Sequence, residues 1–458
     1  MTKLRMILAI LAGRAVRLVS RLLHRGGTDM PGRIALRLCP QLLRLLAAEV
    51  KSLAVTGTNG KTTSARMIEE AFREAGLSYF ANRSGANLIS GVTTEFIMNA
   101  DWRGRPRREY AIIECDEAAA KTVFGQLKPR VVVVTNLFRD QLDRYGEVTH
   151  TLANIREAMR GAPEALLCLN ADCSLTASLA GDLPNRVIWY GVDPGAAPSR
   201  SKPALSDATH CIRCKTEYEY DYVTYGHLGG YRCPHCGYAR PKADVAVTDV
   251  TEMRADGSTA VVSLGGERRV VAVNLPAMYN VYNAVGALAA ATAMGVPADT
   301  AIGALGRFSC GFGRMEQFPL GAKGARMMLV KNPAGCSQVL EFLASISEPF
   351  ELVVCLNDRH ADGTDVSWIW DADFEILGTL GSRLKRVTVS GDRAQDMRVR
   401  IKYAGVPDAR IAVETDYEAL VRALEHAEER VFLMPTYTAM LELRQAVIRR
   451  VGGSEFWE

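Results

Sequence analysis

Two short stretches of this 458-residue chain carry residue types at spacings that could do chemistry. The first is Val55-Thr56-Gly57-Thr58-Asn59-Gly60-Lys61-Thr62-Thr63, which follows a short apolar run and opens a helix-like segment. A glycine turn leading into a helix aims backbone N–H groups at one point, where they can cradle phosphate oxygens. Lys61 adds a positive charge for the β- and γ-phosphates of ATP, and the Thr62 hydroxyl can reach a magnesium ion. Gly57, Thr58, Asn59, Gly60, Lys61 and Thr62 are therefore the candidate phosphate-binding residues. Two residues, rather than about four, separate Gly57 from Gly60, so the loop is a shortened variant, and a glycine turn that merely caps a helix is the plain alternative. Magnesium prefers oxygen ligands and bridges phosphates. An acid ending a neighbouring strand would complete its site. Glu114, at the end of Tyr110–Glu114, is the candidate, with Asp116 and Glu117 close behind and a solvated loop carboxylate as the alternative for each.

The second stretch is Cys211-x2-Cys214 and Cys233-x2-Cys236, with 18 residues between the pairs. Each pair makes a tight turn that points two thiolates at one ion, the spacing of a tetrahedral zinc site. Four thiolates close the shell and leave no position for water, so the zinc would be structural. His210, His227 and His235 are then bystanders. The other cysteines (Cys39, Cys115, Cys168, Cys173, Cys310, Cys336 and Cys355) are scattered, several in apolar runs, and read as small buried hydrophobes. No secreted disulfide framework is visible, which points to a reducing, cytoplasmic compartment.

Elements must hold these residues in place. Apolar strands at Leu53–Thr56, Tyr110–Glu114, Arg130–Thr135, Ala165–Asn170 and Val187–Tyr190 alternate with helix-like segments. This is the α/β pattern of a parallel sheet covered on both faces. The pattern breaks between about Ser201 and Lys242, where the four cysteines lie, so the zinc ribbon (about 205–240) reads as an insertion. Strands resume at Val245, Ala260–Leu264 and Val270–Val273, followed by an alanine-rich helix over Val281–Met294. A second, smaller α/β pattern carries strands at Glu351–Leu356, Arg386–Ser390 and Arg430–Met434. Gly306, Gly311 and Gly313 mark the junction, giving a basic amphipathic helical segment over 1–45, a central ATP-binding domain over 46–310 and a C-terminal domain over 311–458.

Apolar residues make up 48% and charged residues 23%, the balance of a globular protein rather than a disordered or fibrous one. Net charge is only +4, so no global basic field points to nucleic acid. No apolar run reaches the roughly 18–20 residues of a membrane span. Near the start, Met6–Gly13 is followed by Arg14, Arg17 and Arg21, and the segment reads as a basic amphipathic helix. Ile7, Leu8, Leu11, Val16, Leu18 and Leu22 supply its apolar side. Such a helix commonly packs on the protein itself; the other reading is contact with an anionic membrane surface.

Four segments together resemble the Mur ligases, the amino-acid ligases of peptidoglycan precursors. Thr56–Thr62 resembles their ATP loop, and Thr135-Asn136-Leu137-Phe138-Arg139-Asp140-Gln141-Leu142-Asp143-Arg144-Tyr145-Gly146 resembles their Thr-Asn…Asp-x-Leu-Asp…Gly segment. Asn280-Val281-Tyr282-Asn283-Ala284 resembles their adenine-side segment, and Gly313-Arg314-Met315-Glu316 their linker, whose arginine contacts the nucleotide. The likeness spans roughly residues 40–440 and adds Asn280, Asn283 and Arg314 to the ATP-binding candidates. The chain departs from most of the family: its phosphate loop begins only about 55 residues in, without the domain that holds a uridine nucleotide, and it carries the four-cysteine insertion. Both departures, and the segment Leu356–Asp371, resemble one branch, the synthase subunits that amidate lipid II.

That resemblance implies ATP-dependent activation of the D-glutamate α-carboxylate of the lipid II stem peptide as an acyl phosphate. Ammonia from a GatD-like glutaminase partner, bound as a heterodimer, then gives D-isoglutamine at the inner face of the plasma membrane. It further implies that Asp365 completes the partner's catalytic triad, with Asp358 and Asp362 as rivals and a solvated acidic loop or a helix cap as the plain alternative. The carbamylated lysine of ordinary Mur ligases has no secure counterpart; Lys202 lies in the right stretch without a motif. An amino-acid ligase of the Mur or folylpolyglutamate-synthase kind is the competing enzyme. A zinc-ribbon scaffold that binds ATP only as a switch is the competing non-enzyme.

Overall fold

The structure, a computed structural model, describes residues 2–22, 28–82, 86–139, 148–197, 207–254, 256–309 and 314–452. Of the sequence-derived candidates, Lys202, Cys310, Asp140–Gly146, Gly311 and Gly313 lie outside these residues, as does the side chain of Arg314.

Two sheets organise the chain. The first contains β1 (Lys51–Thr56), β2 (Tyr79–Ala81), β3 (Tyr110–Glu114), β4 (Val131–Val134), β5 (Leu166–Asn170) and β6 (Val187–Val192), all paired parallel. The all-valine β4 is buried along its whole length, as a strand covered on both faces must be. The sheet then continues past the ribbon hairpin β7 (Glu219–Tyr225) and β8 (Leu228–Arg232). It takes up β9 (Val245–Met253), β10 (Ser258–Leu264) and β11 (Glu267–Val273), in the order β11-β10-β9-β6-β5-β4-β1-β3-β2. The last three strands are an antiparallel meander; between β10 and β11, Gly265 and Gly266 adopt φ of 60° and 86°, the left-handed turn that reverses a strand in two residues.

The second sheet has the order β12-β13-β17-β14-β15-β16. It is formed by β12 (Arg314–Phe318), β13 (Ala325–Met328), β14 (Phe350–Cys355), β15 (Leu384–Ser390), β16 (Ile411–Val413) and β17 (Arg430–Pro435). Only β12 is antiparallel to its neighbour. Cys168 and Cys355 lie inside strands, where burial pushes both thiols up to about 12, consistent with small inert hydrophobes.

The chain begins with α1 (Thr2–Leu22), α2 (Met30–Leu38) and α3 (Leu42–Ala47), which cover α5 (Ile89–Met98). Here the structure corrects the sequence reading. The side of α1 that packs carries Ala9, Ile10 and Gly13, whereas Leu8, Leu11, Leu18 and Leu22 face outward. At Gly13 the helices approach closely: a Cβ there would lie 3.0 Å from the Ile97 side chain. Arg14 reaches across to the carbonyls of Ile97 and Ala100 at the end of α5.

Candidate functional site

The phosphate loop leaves the carboxyl end of β1, which lies between β3 and β4. Chain connections run outward in opposite directions from this point, and α/β sheets gather ligands at such a switch. Gly57 adopts φ 120° and Gly60 φ 83°, after which α4 (Lys61–Glu74) begins. Neither position tolerates a side chain. A Cβ on Gly57 would stand 2.4 Å from Thr135 Oγ1, and one on Gly60 would stand 2.1 Å from Asn283 Oδ1.

The segment after β4 braces the loop. Asn59 N–H donates to Asn136 Oδ1 at 2.9 Å, and Asn136 Nδ2 and Thr135 Oγ1 donate to the Asn59 carbonyl at 3.1 and 2.7 Å. Thr58 N–H donates to the Asn136 carbonyl at 2.9 Å. Thr135 and Asn136 therefore hold the loop's shape.

Lys61 sits inside the loop. Its ammonium donates to the carbonyl of Gly57 at 2.6 Å and to Glu117 Oε1 at 2.9 Å, and both side chains are buried. Burial opposes the ammonium charge, but the carboxylates of Glu117, Glu114 and Asp116 outweigh it and raise the Lys61 pKa. Beside it, Thr62 Oγ1 donates to Glu114 Oε2 at 2.7 Å, so the two magnesium candidates are in contact. Asn82 fixes the Glu114 backbone, accepting from its N–H at 2.9 Å and donating to its carbonyl at 2.7 Å. Three carboxylates face the ammoniums of Lys61 and, at Glu117, Lys331, which leaves net negative charge beside the phosphate cradle, a donor set that suits a hard divalent cation.

Asn280 and Asn283 stand on the first turns of the helix Met278–Ala293, linked through Asn283 Nδ2 and Asn280 Oδ1 at 3.3 Å. Asn280 is further committed to the Pro276 carbonyl at 2.6 Å, so Asn283 is the one that lies against the loop. Arg314 opens β12, and its side chain is not described.

Sequence reasoning named Glu117 only as an acid behind Glu114, not as the partner of Lys61, and it missed two partners outright. Asn82 is one. The other is Asn332, whose amide pairs with that of Asn59 at 3.1 and 3.4 Å and whose Oδ1 also caps the helix Pro333–Ser345 by accepting from Gly335 N–H at 2.8 Å. The second sheet thus presents a 13-residue helix N-terminus, a site of positive partial charge, to the phosphate loop. The helix-start signal was visible as Asn332-Pro333. Nearby, Arg139 pairs with Asp371 at 2.6 Å beside a cavity of about 140 Å³ between the two sheets, lined also by Phe138, Tyr225 and Gln338.

The four cysteines converge. Their sulfurs all lie within 4.8 Å of one another, with Cys211–Cys236 at 3.5 Å and Cys214–Cys233 at 3.4 Å. A tetrahedron of ~2.3 Å zinc–sulfur bonds has edges of about 3.8 Å, so the quartet could hold such an ion with small adjustment. Tyr218, Tyr231 and Tyr238 pack around it. Arg240 binds Asp172 at 2.6 Å and Tyr222 donates to the Val192 carbonyl at 2.6 Å, which anchors the ribbon to the first sheet. His227 is no surface residue: it is buried against Phe138 and within 3.4 Å of Cys173.

The three aspartates of the 358–365 loop have different environments. Asp362 is buried and accepts from Thr438 N–H at 2.7 Å and from its hydroxyl, a structural commitment. Asp358 pairs with Arg393 at 3.0 Å. Asp365 is exposed at the edge of an open depression of about 500 Å³ that also holds Trp370, Arg393 and Val399. The Ser367 hydroxyl and N–H, the latter at 2.8 Å, hold its carboxyl below the usual range. Trp370 and Tyr403, both exposed, meet edge to face at 5.8 Å on the same side.

Comparisons with known proteins agree with this architecture. Residues 55–216 match the Mur ligase middle domain and residues 329–440 match the MurT ligase C-terminal domain. The fold is similar to that of a pseudomurein peptide ligase type C from Methanothermus fervidus (TM-score 0.65, 21% identity, 88% of this chain and 79% of that one). It is likewise similar to MurF from Acinetobacter baumannii (TM-score 0.66, 16% identity, 91% and 81%). In sequence the chain is 32% identical to the MurT subunit of lipid II isoglutaminyl synthase (glutamine-hydrolyzing) from Streptococcus pneumoniae, over 98% of both chains. It is 31% identical to the corresponding subunit from Staphylococcus aureus, over 98% and 99%. At that identity, over nearly its whole length, the chain belongs to the family of MurT subunits, within the Mur ligases.

Proposed function

We propose that this protein amidates the α-carboxylate of the D-glutamate in lipid II, using ATP and ammonia released by a separate GatD-like glutaminase subunit. The carrying observation is the full-length likeness to MurT subunits, which takes in the four-cysteine insertion and the C-terminal domain as well as the phosphate loop. A carboxylate is a poor acyl donor until one of its oxygens carries a phosphoryl group. The loop N–H groups and the Lys61 ammonium would hold the transferring phosphoryl group and offset its charge as ADP leaves. Ammonia then attacks the acyl carbon, phosphate departs and one proton is lost. Thr62 and Glu114 would hold magnesium, which supplies further neutralisation there. The cysteine quartet would hold a structural zinc.

Among the described residues no helix is long and apolar enough to cross a membrane. We place the reaction in the cytoplasm, at the inner face of the plasma membrane, where a lipid-linked substrate is presented. Asp365, with Trp370 and Tyr403 nearby, would meet the glutaminase. Its exposure supports this role over the buried Asp362 and the paired Asp358. The test is mass spectrometry of lipid II incubated with ATP and either ammonium alone or glutamine plus the partner. Conversion of the carboxyl to a carboxamide is expected with both nitrogen sources. Incorporation of an amino acid, or ATP turnover without change in lipid II, would refute the reading.

A further inference from the structure

The outward face of α1 is unusual for a helix that packs on a core. Leu4, Leu8, Leu11, Leu18, Val19 and Leu22 are 48–71% exposed. At about 100° per residue they fall on one stripe, roughly 27 Å long from first to last. The opposite side of α1 covers the core with Ala9, Ile10 and Gly13, and Met6 packs there too, so these six large aliphatic side chains remain outward beyond what the core contact uses.

The charge beside this stripe is one-sided. Residues 1–48 contain nine lysines and arginines and a single acid, Asp29, although the whole chain carries only +4, so the remainder is net negative. The exposed Lys3 and Arg21 flank one side of the stripe and Arg5 the other. The turn that packs against Met6, on the flank of α1 away from the stripe, carries exposed Arg103, Arg105 and Arg107 and the half-exposed Trp102, with one acid, Asp101, which accepts from the Arg103 and Arg105 N–H groups. A second copy of this face would bring like charge against like charge, which opposes association. An anionic lipid surface complements both features, since leucines enter the acyl boundary and basic residues sit at headgroup level.

We propose that the outward face of α1, with the basic residues Lys3, Arg5 and Arg21 that flank it, docks this protein on an anionic lipid surface, with α1 lying in the plane of the interface. The proposal does not depend on the reaction assigned above. The test is flotation of the full chain with vesicles of phosphatidylglycerol and phosphatidylcholine, against phosphatidylcholine alone. Wild type is expected to float with the anionic vesicles and at least about tenfold less with the neutral ones. Leu8→Glu/Leu18→Glu is expected to lower the bound fraction at least about tenfold with no change in melting temperature, because both positions are exposed. Arg5→Glu/Arg21→Glu, which leaves the leucines in place, is expected to abolish the preference for anionic vesicles. Wild type that does not float, or variants that float as wild type does, would overturn the proposal. So would a dimeric wild type that Leu8→Glu/Leu18→Glu makes monomeric, since a second copy would then own the face.

Discussion

Replacing Lys61 by alanine should do more than remove a phosphate contact. A lysine that serves only ATP would be dispensable for folding, but here its ammonium is the buried partner of Glu117. Without it, Glu117 must take up a proton or remain buried as a lone anion. Protonating a glutamate costs about 1.4 kcal/mol for each pH unit above its ordinary ~4.3. The deficit at pH 7 is therefore about 3.7 kcal/mol, within the roughly 3–5 kcal/mol seen when one member of a buried pair is removed. It is an upper figure, because the field of Lys331 also favours ionised Glu117. The sign follows from burial, which already raises the Glu117 pKa in the folded state. The penalty is absent below the unfolded-state pKa and grows as pH rises toward the folded one, so at pH 5 it falls to about 1 kcal/mol. Urea unfolding of wild type, Lys61→Ala, Glu117→Gln and the double variant at both pH values checks this. We expect Lys61→Ala to be the least stable at pH 7. The double variant should recover most of the loss, with ATP turnover absent in both variants that lack the lysine. A Lys61→Ala protein as stable as wild type at pH 7, with no pH dependence of the difference, would refute the buried-pair argument.

Three further outcomes are expected. Gly60→Ala places a Cβ against Asn283 at a positive φ and should weaken ATP binding at least about tenfold, measured by calorimetry, with a stability loss of about 1–2 kcal/mol; unchanged affinity would mean the nucleotide binds elsewhere. Metal analysis should find one zinc per chain, and Cys211→Ser should lower the melting temperature and the zinc content together; zinc-free protein or an iron–sulfur absorbance speaks against the site. Asp365→Asn should lose amidation driven by glutamine and the partner while retaining amidation driven by ammonium; equal loss with both nitrogen sources would move Asp365 into the synthase site.

The phosphate loop and the cysteine quartet were legible in the sequence because their chemistry is local. Two glycines before a lysine, or two cysteines three residues apart, set the backbone turn and the side-chain directions within one short segment. The parallel strands were legible for a similar reason: an all-valine run such as Val131–Val134 has few other places to go. What the sequence did not disclose depends on distance along the chain. Lys61 and Glu117 are separated by 56 residues, and Asn59 and Asn332 by 273. No spacing rule connects either pair, because each contact exists only once β1, β3 and the second sheet have been brought together. The first helix shows the limit most plainly. Periodicity revealed a leucine stripe, yet the stripe faces outward, and the covered side is the one that carries Ala9, Ile10 and Gly13, with Gly13 close against Ile97 of α5. A helical period tells which residues share a face; only the neighbouring helices decide which face is covered.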